Sequence, residues 1–177
     1  MVTYIALLRG INVSGHNMIK MDELKGVLGE LDFTGIRTYI QSGNIVFGSN
    51  SDDPAALAAG IAGKIRERFG FEVPVVIRTL QELDVISKSN PFLRDGNLDA
   101  GKMHVTFLSE LPDPGRTEKI MEYNFPPDEF AINGKEIYLY CPDGYGRTKL
   151  TPQFFESKLK VSTTTRNWKT ILTLLTT

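Results

Sequence analysis

Ile36-Arg37-Thr38-Tyr39-Ile40-Gln41-Ser42-Gly43-Asn44-Ile45-Val46-Phe47 decides the fold class. Ile36, Thr38 and Ile40 alternate with Arg37, Tyr39 and Gln41, the period of two expected of a strand with one covered face. Ser42-Gly43 interrupts the run, and glycine tolerates the positive φ that a tight turn demands. Ile45 to Phe47 resume as a second strand, so the segment predicts an antiparallel hairpin.

Before the hairpin, Thr3 to Leu8 reads as a buried strand. Met21, Leu24, Val27, Leu28 and Leu31 then recur at helical spacing, with Asp22 and Glu23 in the first turn, where the helix dipole favours negative charge. After the hairpin, Pro54 opens a helix capped by Asp52 or Asp53, with Leu57, Ile61, Ile65 and Phe69 along one face. Val73 to Ile77 follow as a strand. Strand, helix, two strands, helix, strand is the split βαβ order of a ferredoxin-like domain.

The second half runs through the same order. Thr79 to Ser87 predicts a helix stopped by Asn90-Pro91. Met103 to Leu108 predicts a strand and Glu118 to Tyr123 part of a helix. Phe130 to Ile132 and Ile137 to Tyr140 flank Asn133-Gly134, a hairpin signal. Thr151-Pro152 starts a helix that carries Phe154, Phe155 and Leu159. Trp168, Ile171, Leu172 and Leu175 give the last helix an apolar stripe, with Thr164 or Thr165 as its cap. Tyr39 to Phe47 is loosely echoed by Phe130 to Tyr138. The expected class is therefore α+β, as tandem ferredoxin-like (βαββαβ) subdomains over residues 1–78 and 79–177, the second ending in helices.

The chain has 177 residues, 41% of them hydrophobic and 23% charged, enough for a sizeable core. A formal net charge of -1 argues against a generic nucleic-acid coat, which needs a broad excess of Lys and Arg. Residues 142–177 carry six basic groups against Asp143 and Glu156, a net +4 that leaves -5 on the rest. Of these, Lys158, Lys160 and Lys169 read first as a solvated basic helical face. Cys141, the one cysteine, has no partner for an intramolecular disulfide, which fits a reducing compartment. Met1 to Leu8 is too short for a signal sequence, and no apolar run approaches the roughly 20 residues that span a bilayer. A cytoplasmic protein without membrane partners is expected.

Four polar clusters stand out: Arg9-Gly10-Ile11-Asn12-Val13, Gln41 to Asn44, Gly146 to Lys149, and Thr164 to Asn167. With a threonine cap, Arg166 falls in the first turn of the last helix, an end already made positive by its free N–H groups. That placement calls for a carboxylate of the protein or a bound phosphate. Arg147 and Lys149 would be companions to Arg166 and Asn167. Arg9 has the planar fork for two-pronged contact with an oxyanion, and Asn12 and Asn44 have directed hydrogen bonds to give. The competing reading is structural: Asn12 and Asn17 close turns, and Arg9 ties a strand end to an acidic neighbour.

Several chemistries are excluded by spacing. Gly144-Tyr145-Gly146-Arg147-Thr148-Lys149 fails the Walker order, and Gly10 to Gly15 lacks the dinucleotide triplet, so no cofactor is expected. His16 has no nucleophile assigned to it, Ser42 lacks the elbow pattern of a hydrolase, and the acidic residues show no metal-ligand spacing. The leading expectation is a small anionic ligand, phosphorylated or carboxylated, held by Arg9, Asn12, Asn44, Arg147, Lys149, Arg166 and Asn167. Whether a reaction accompanies binding stays open. The alternatives are RNA or single-stranded nucleic acid on the sheet face that carries Arg37 and Tyr39, and a partner-binding protein with no ligand.

Tyr4-Ile5-Ala6-Leu7-Leu8-Arg9-Gly10-Ile11-Asn12-Val13, Arg37 to Asn44, Gly146 to Leu150 and Thr164 to Trp168 together resemble the bacterial family called domain of unknown function 1697. The resemblance implies an α+β, ferredoxin-like fold in a bacterial cytoplasmic protein. It implies no catalytic residues.

Overall fold

The computed structural model describes residues 1–177 and separates into two units, Met1–Asp84 with Leu174–Thr177, and Val85–Thr173. The fold is mixed α+β, with two four-stranded antiparallel sheets and six helices.

The first unit runs β1 (Val2–Leu8), α1 (Met21–Leu28), β2 (Thr34–Tyr39), β3 (Asn44–Ser49), α2 (Pro54–Phe69) and β4 (Val75–Thr79). Its sheet order is β2-β3-β1-β4, every neighbouring pair antiparallel. One face carries Tyr4, Ala6 and Leu8 of β1 with Ile45 and Phe47 of β3, packed with Leu24 and Leu28 of α1 and Ile61 and Ile65 of α2. Each such aliphatic side chain, once fully buried, contributes about 1.5–3 kcal/mol. Asp53 caps α2, its Oδ1 accepting from Ala56 N at 3.1 Å, and Gly70 ends it in the left-handed region.

The division falls within α3 (Leu80–Lys88), which Thr79 and Glu82 start with reciprocal side-chain bonds of 3.0 and 2.7 Å, a capping box. The second unit then runs β5 (Met103–Leu108), α4 (Pro114–Ile120), β6 (Glu129–Asn133), β7 (Glu136–Tyr140), α5 (Pro152–Leu159) and β8 (Thr163–Asn167), followed by α6 (Trp168–Leu174), whose last residue is counted with the first unit. Its sheet order is β6-β7-β5-β8. Leu108, Ile137, Leu139, Phe155 and Leu159 form its core on the helix side.

Three local expectations need correction. The fourth helix begins at Pro114, ahead of Glu118, because Asp113 supplies the cap: its Oδ2 accepts from Arg116 N at 3.1 Å. Thr163 to Asn167 is a strand, in keeping with three β-branched threonines in a row. The cap of the last helix is Asn167, whose Oδ1 accepts from Thr170 N at 2.8 Å. In α6, Trp168, Ile171 and Leu174 are buried, whereas Leu172 is 46% exposed.

Both units share the order β-α-β-β-α-β and the same sheet order. In the first, one cross-strand row reads Arg37, Val46, Ile5, Arg78; in the second it reads Ala131, Tyr138, Val105, Arg166. Arg78 and Arg166 thus hold corresponding places, and each Nη1 donates to the preceding residue's carbonyl, at 2.9 and 3.0 Å. Val46 matches Tyr138 and Arg37 matches Ala131, so the echo in the sequence is displaced by one residue in the second strand of the hairpin and by three in the first.

The units differ in two connections. β1 to α1 takes the twelve residues 9–20, against five (109–113) from β5 to α4. β7 to α5 takes eleven (141–151), against four (50–53) from β3 to α2.

Candidate functional site

The long first connection is closed by asparagines. Asn12 sits at φ 54, a left-handed conformation that Asn adopts more readily than most residues. Its Nδ2 donates to Ile19 O at 3.0 Å and Gln41 O at 2.7 Å, while its Oδ1 accepts from Ile19 N at 2.8 Å. Those bonds fold the connection on itself and fasten it to the β2–β3 turn. Asn17 Nδ2 reaches Gly10 O at 3.1 Å. Asn44 is fully buried, and its Nδ2 donates to Tyr39 O and Ser42 Oγ at 3.0 and 3.1 Å. At Gly43, with φ 86, an added Cβ would meet Leu8 Cβ at 2.8 Å and Ile11 Cδ1 at 2.7 Å. Arg9 is half-buried, and its backbone N donates to Pro74 O at 3.1 Å.

The long connection of the second unit carries exposed cations. Arg147 ends a short 3₁₀ turn from Tyr145, and Lys149 follows two residues later. Both line a cleft of about 290 Å³ between residues 124–128 and 143–149, together with Asp128 and Asp143. Neither cation forms a salt bridge with either carboxylate. Thr148, between them, is buried; its hydroxyl donates to Asp128 Oδ2 at 2.7 Å and accepts from Leu150 N at 3.1 Å. Lys149 Nζ lies 5.8 Å from the centroid of the Phe125 ring.

Two titratable groups stand against this connection. The His104 ring stacks on Tyr145 at 4.5 Å between centroids, and its buried Nδ1 finds no hydrogen-bond partner. Burial pushes the His104 pKa down, against an opposing effect of the Lys102 backbone. Burial pushes the Cys141 thiol up; the Thr148 bond opposes that and the Asp128 charge adds to it.

Arg166 is placed differently from its sequence expectation. It lies in β8, 8% exposed, and its Nη1 donates to Thr164 Oγ1 at 2.9 Å and Thr165 O at 3.0 Å. Burial lowers its pKa to about 10. It is not in the first turn of a helix, so the clash with a helix dipole does not arise, and it does not line the cleft of Arg147 and Lys149. Asn167 spends its side-chain oxygen on the helix cap.

The expected residues therefore fall into groups. Arg147 and Lys149 share a cleft, Asn12 and Asn44 brace one turn, and Arg166 and Asn167 close a strand–helix junction. Arg9, Asn12 and Asn44 belong to the first unit and the other four to the second. The sequence reading missed Asp128 and Asp143 as cleft residues, and it missed Arg78. Arg78 was discoverable, because Arg78-Thr79-Leu80 parallels Arg166-Asn167-Trp168 at the start of a helix.

Arg37 and Tyr39 do share a sheet face, but their row-mates are Val46, Ile5 and the buried Arg78, and Asn44, Leu7 and Val76. Aliphatic neighbours offer bases no stacking platform. No three His, Cys, Asp or Glu side chains gather as metal ligands, and no helix is long and apolar enough to cross a membrane.

Comparison with known families finds the one described as Protein of unknown function (DUF1697), matching residues 1–138. That span contains the clusters at Arg9 and Gln41, while Arg147, Lys149 and Arg166 lie beyond it. No curated protein matches. Among solved structures, the conserved bacterial protein SP0830 from Streptococcus pneumoniae is similar with a TM-score of 0.73 and 23% identity, over 99% of this chain and 97% of that one. A likeness at that identity is one of fold. With more than half its length matched, the chain belongs to the DUF1697 family of proteins of unknown function.

Proposed function

We propose that the second unit binds a small anionic ligand, phosphorylated or carboxylated, in the cleft of Arg147 and Lys149. The observation that carries this is a pair of exposed cations on one concave surface, both without a salt bridge although two carboxylates line the same cleft. The Thr148 hydroxyl donates to Asp128 Oδ2 and holds that carboxylate in place, short of a salt bridge with either cation. A guanidinium fork beside an ammonium suits an oxyanion, since charge-assisted hydrogen bonds are about twice as strong as neutral ones. Asp128 and Asp143 disfavour a long polyanion by like-charge repulsion, so the ligand is compact.

On this reading Arg166, Asn167, Arg9, Asn12 and Asn44 shape the scaffold and leave recognition to the two exposed cations. Each unit is taken to be a ferredoxin-like subdomain, which the β-α-β-β-α-β order and the paired sheet orders support. A cytoplasmic setting is proposed from the single buried thiol.

A thermal-shift screen with phosphorylated metabolites, pyrophosphate and dicarboxylates tests the proposal. At least one anion should raise the Tm of the wild type more than it raises that of an Arg147→Ala, Lys149→Ala double variant. Isothermal titration should then show affinity weakened by about tenfold or more. If no anion distinguishes the two proteins, the cleft is not a binding site.

A further inference from the structure

We propose that a second anion site lies between α4 and α5, built to take a singly protonated phosphate group. Arg116 and Lys119 stand three residues apart on one face of α4, and Lys158 projects from α5. With Tyr123 and Ser157 they line a cleft of about 410 Å³. None of the three cations forms a salt bridge. The single carboxylate in the cleft, Asp113, has its Oδ2 on Arg116 N as the helix cap. Lys158 Nζ rests 4.8 Å from the centroid of the Tyr123 ring, a weak substitute for an anion at so exposed a site.

The polar groups around these cations define the guest. The Tyr123 phenol is 40% exposed and makes no hydrogen bond within the protein, so it has a proton to donate. Ser157 Oγ already donates to Phe154 O at 2.8 Å, so it has only lone pairs to offer. Three cations and a phenol against two acceptors, Ser157 Oγ and the Asp113 carboxylate, match a phosphate that keeps one O–H. A carboxylate, once ionised, has no proton for Ser157. No residue is shared with the cleft of Arg147 and Lys149, so the two proposals stand or fall separately.

The test is a titration of the full chain with inorganic phosphate, and in parallel with acetate, followed in ¹H–¹⁵N spectra. Phosphate should produce saturating shifts at the amides of Arg116, Lys119, Ser157 and Lys158, and acetate should not. An Arg116→Ala, Lys158→Ala variant should bind about tenfold more weakly or worse. An Arg147→Ala, Lys149→Ala variant and a charge-matched Lys20→Ala, Lys25→Ala control should stay within about twofold at this site. Lys119→Glu, at an exposed position, should reproduce the loss without touching the Lys158–Tyr123 contact. Shifts that never saturate, equal response to acetate, or equal weakening in the control would overturn the site.

Discussion

Arg147 and Arg166 carry the same charge in different surroundings. Arg166 is buried with its guanidinium on threonine oxygens, so Arg166→Ala removes packing and leaves hydrogen-bond acceptors unmet. A loss of about 2–4 kcal/mol in urea unfolding is expected, against no more than about 0.5 kcal/mol for exposed Arg147→Ala. Equal losses would contradict the scaffold role. His104 sets a pH dependence whose sign follows from its lowered pKa. Above the ordinary value of 6.5 the imidazole is neutral in both folded and unfolded chains and contributes no slope. As pH falls below 6.5 the unfolded chain takes up the proton first, so stability is lost until the folded pKa is passed. Urea midpoints should fall between about pH 7 and pH 5 in the wild type, and less so in His104→Gln. A persistent slope in that variant would assign it elsewhere. Residue types announced that Arg147 and Arg166 were cations. Burial, which separates them, depends on the β5–β8 pairing of Val105 with Arg166, a contact no local window of sequence contains.

The β2–β3 hairpin was legible because alternation and a glycine turn are local signals, although β2 ends at Tyr39 and the turn takes in Ile40 and Gln41, which the alternation had placed in the strand. The start of β8 was not, because threonine is at once a helix-capping residue and a β-branched strand former. Only pairing with β5 decides between the two, and there Thr106 and Thr165 meet hydroxyl to hydroxyl at 2.7 Å. The hairpin also contains a residue the alternation rule accepts and the geometry does not favour. Ile40 is 48% exposed at φ 49, a left-handed conformation costly for a β-branched side chain. Ile40→Asn should therefore stabilise the protein by about 1 kcal/mol, since little apolar burial is given up. A drop in Tm would show that the isoleucine packs better than its exposure implies.

Across the whole chain the two units repeat one plan, and the sequence revealed the plan more readily than its exceptions. Element order repeats in hydrophobic periodicity, whereas the cleft residues Asp128 and Asp143 are acidic side chains with no period to mark them. The unequal connections have a practical consequence for anyone rebuilding this protein. Each half offers a port where added chain leaves the framework intact, and the second half already uses the one after its third strand. The matching port of the first half, Asn50–Asp53, stands nearly empty. A flexible graft of about seven residues between Asp52 and Asp53 should cost only about 1 kcal/mol or less, because loop-closure entropy grows slowly with length. Failure of that graft to fold would mean that the ports are not interchangeable, and that the duplicated plan is looser than its strand order implies.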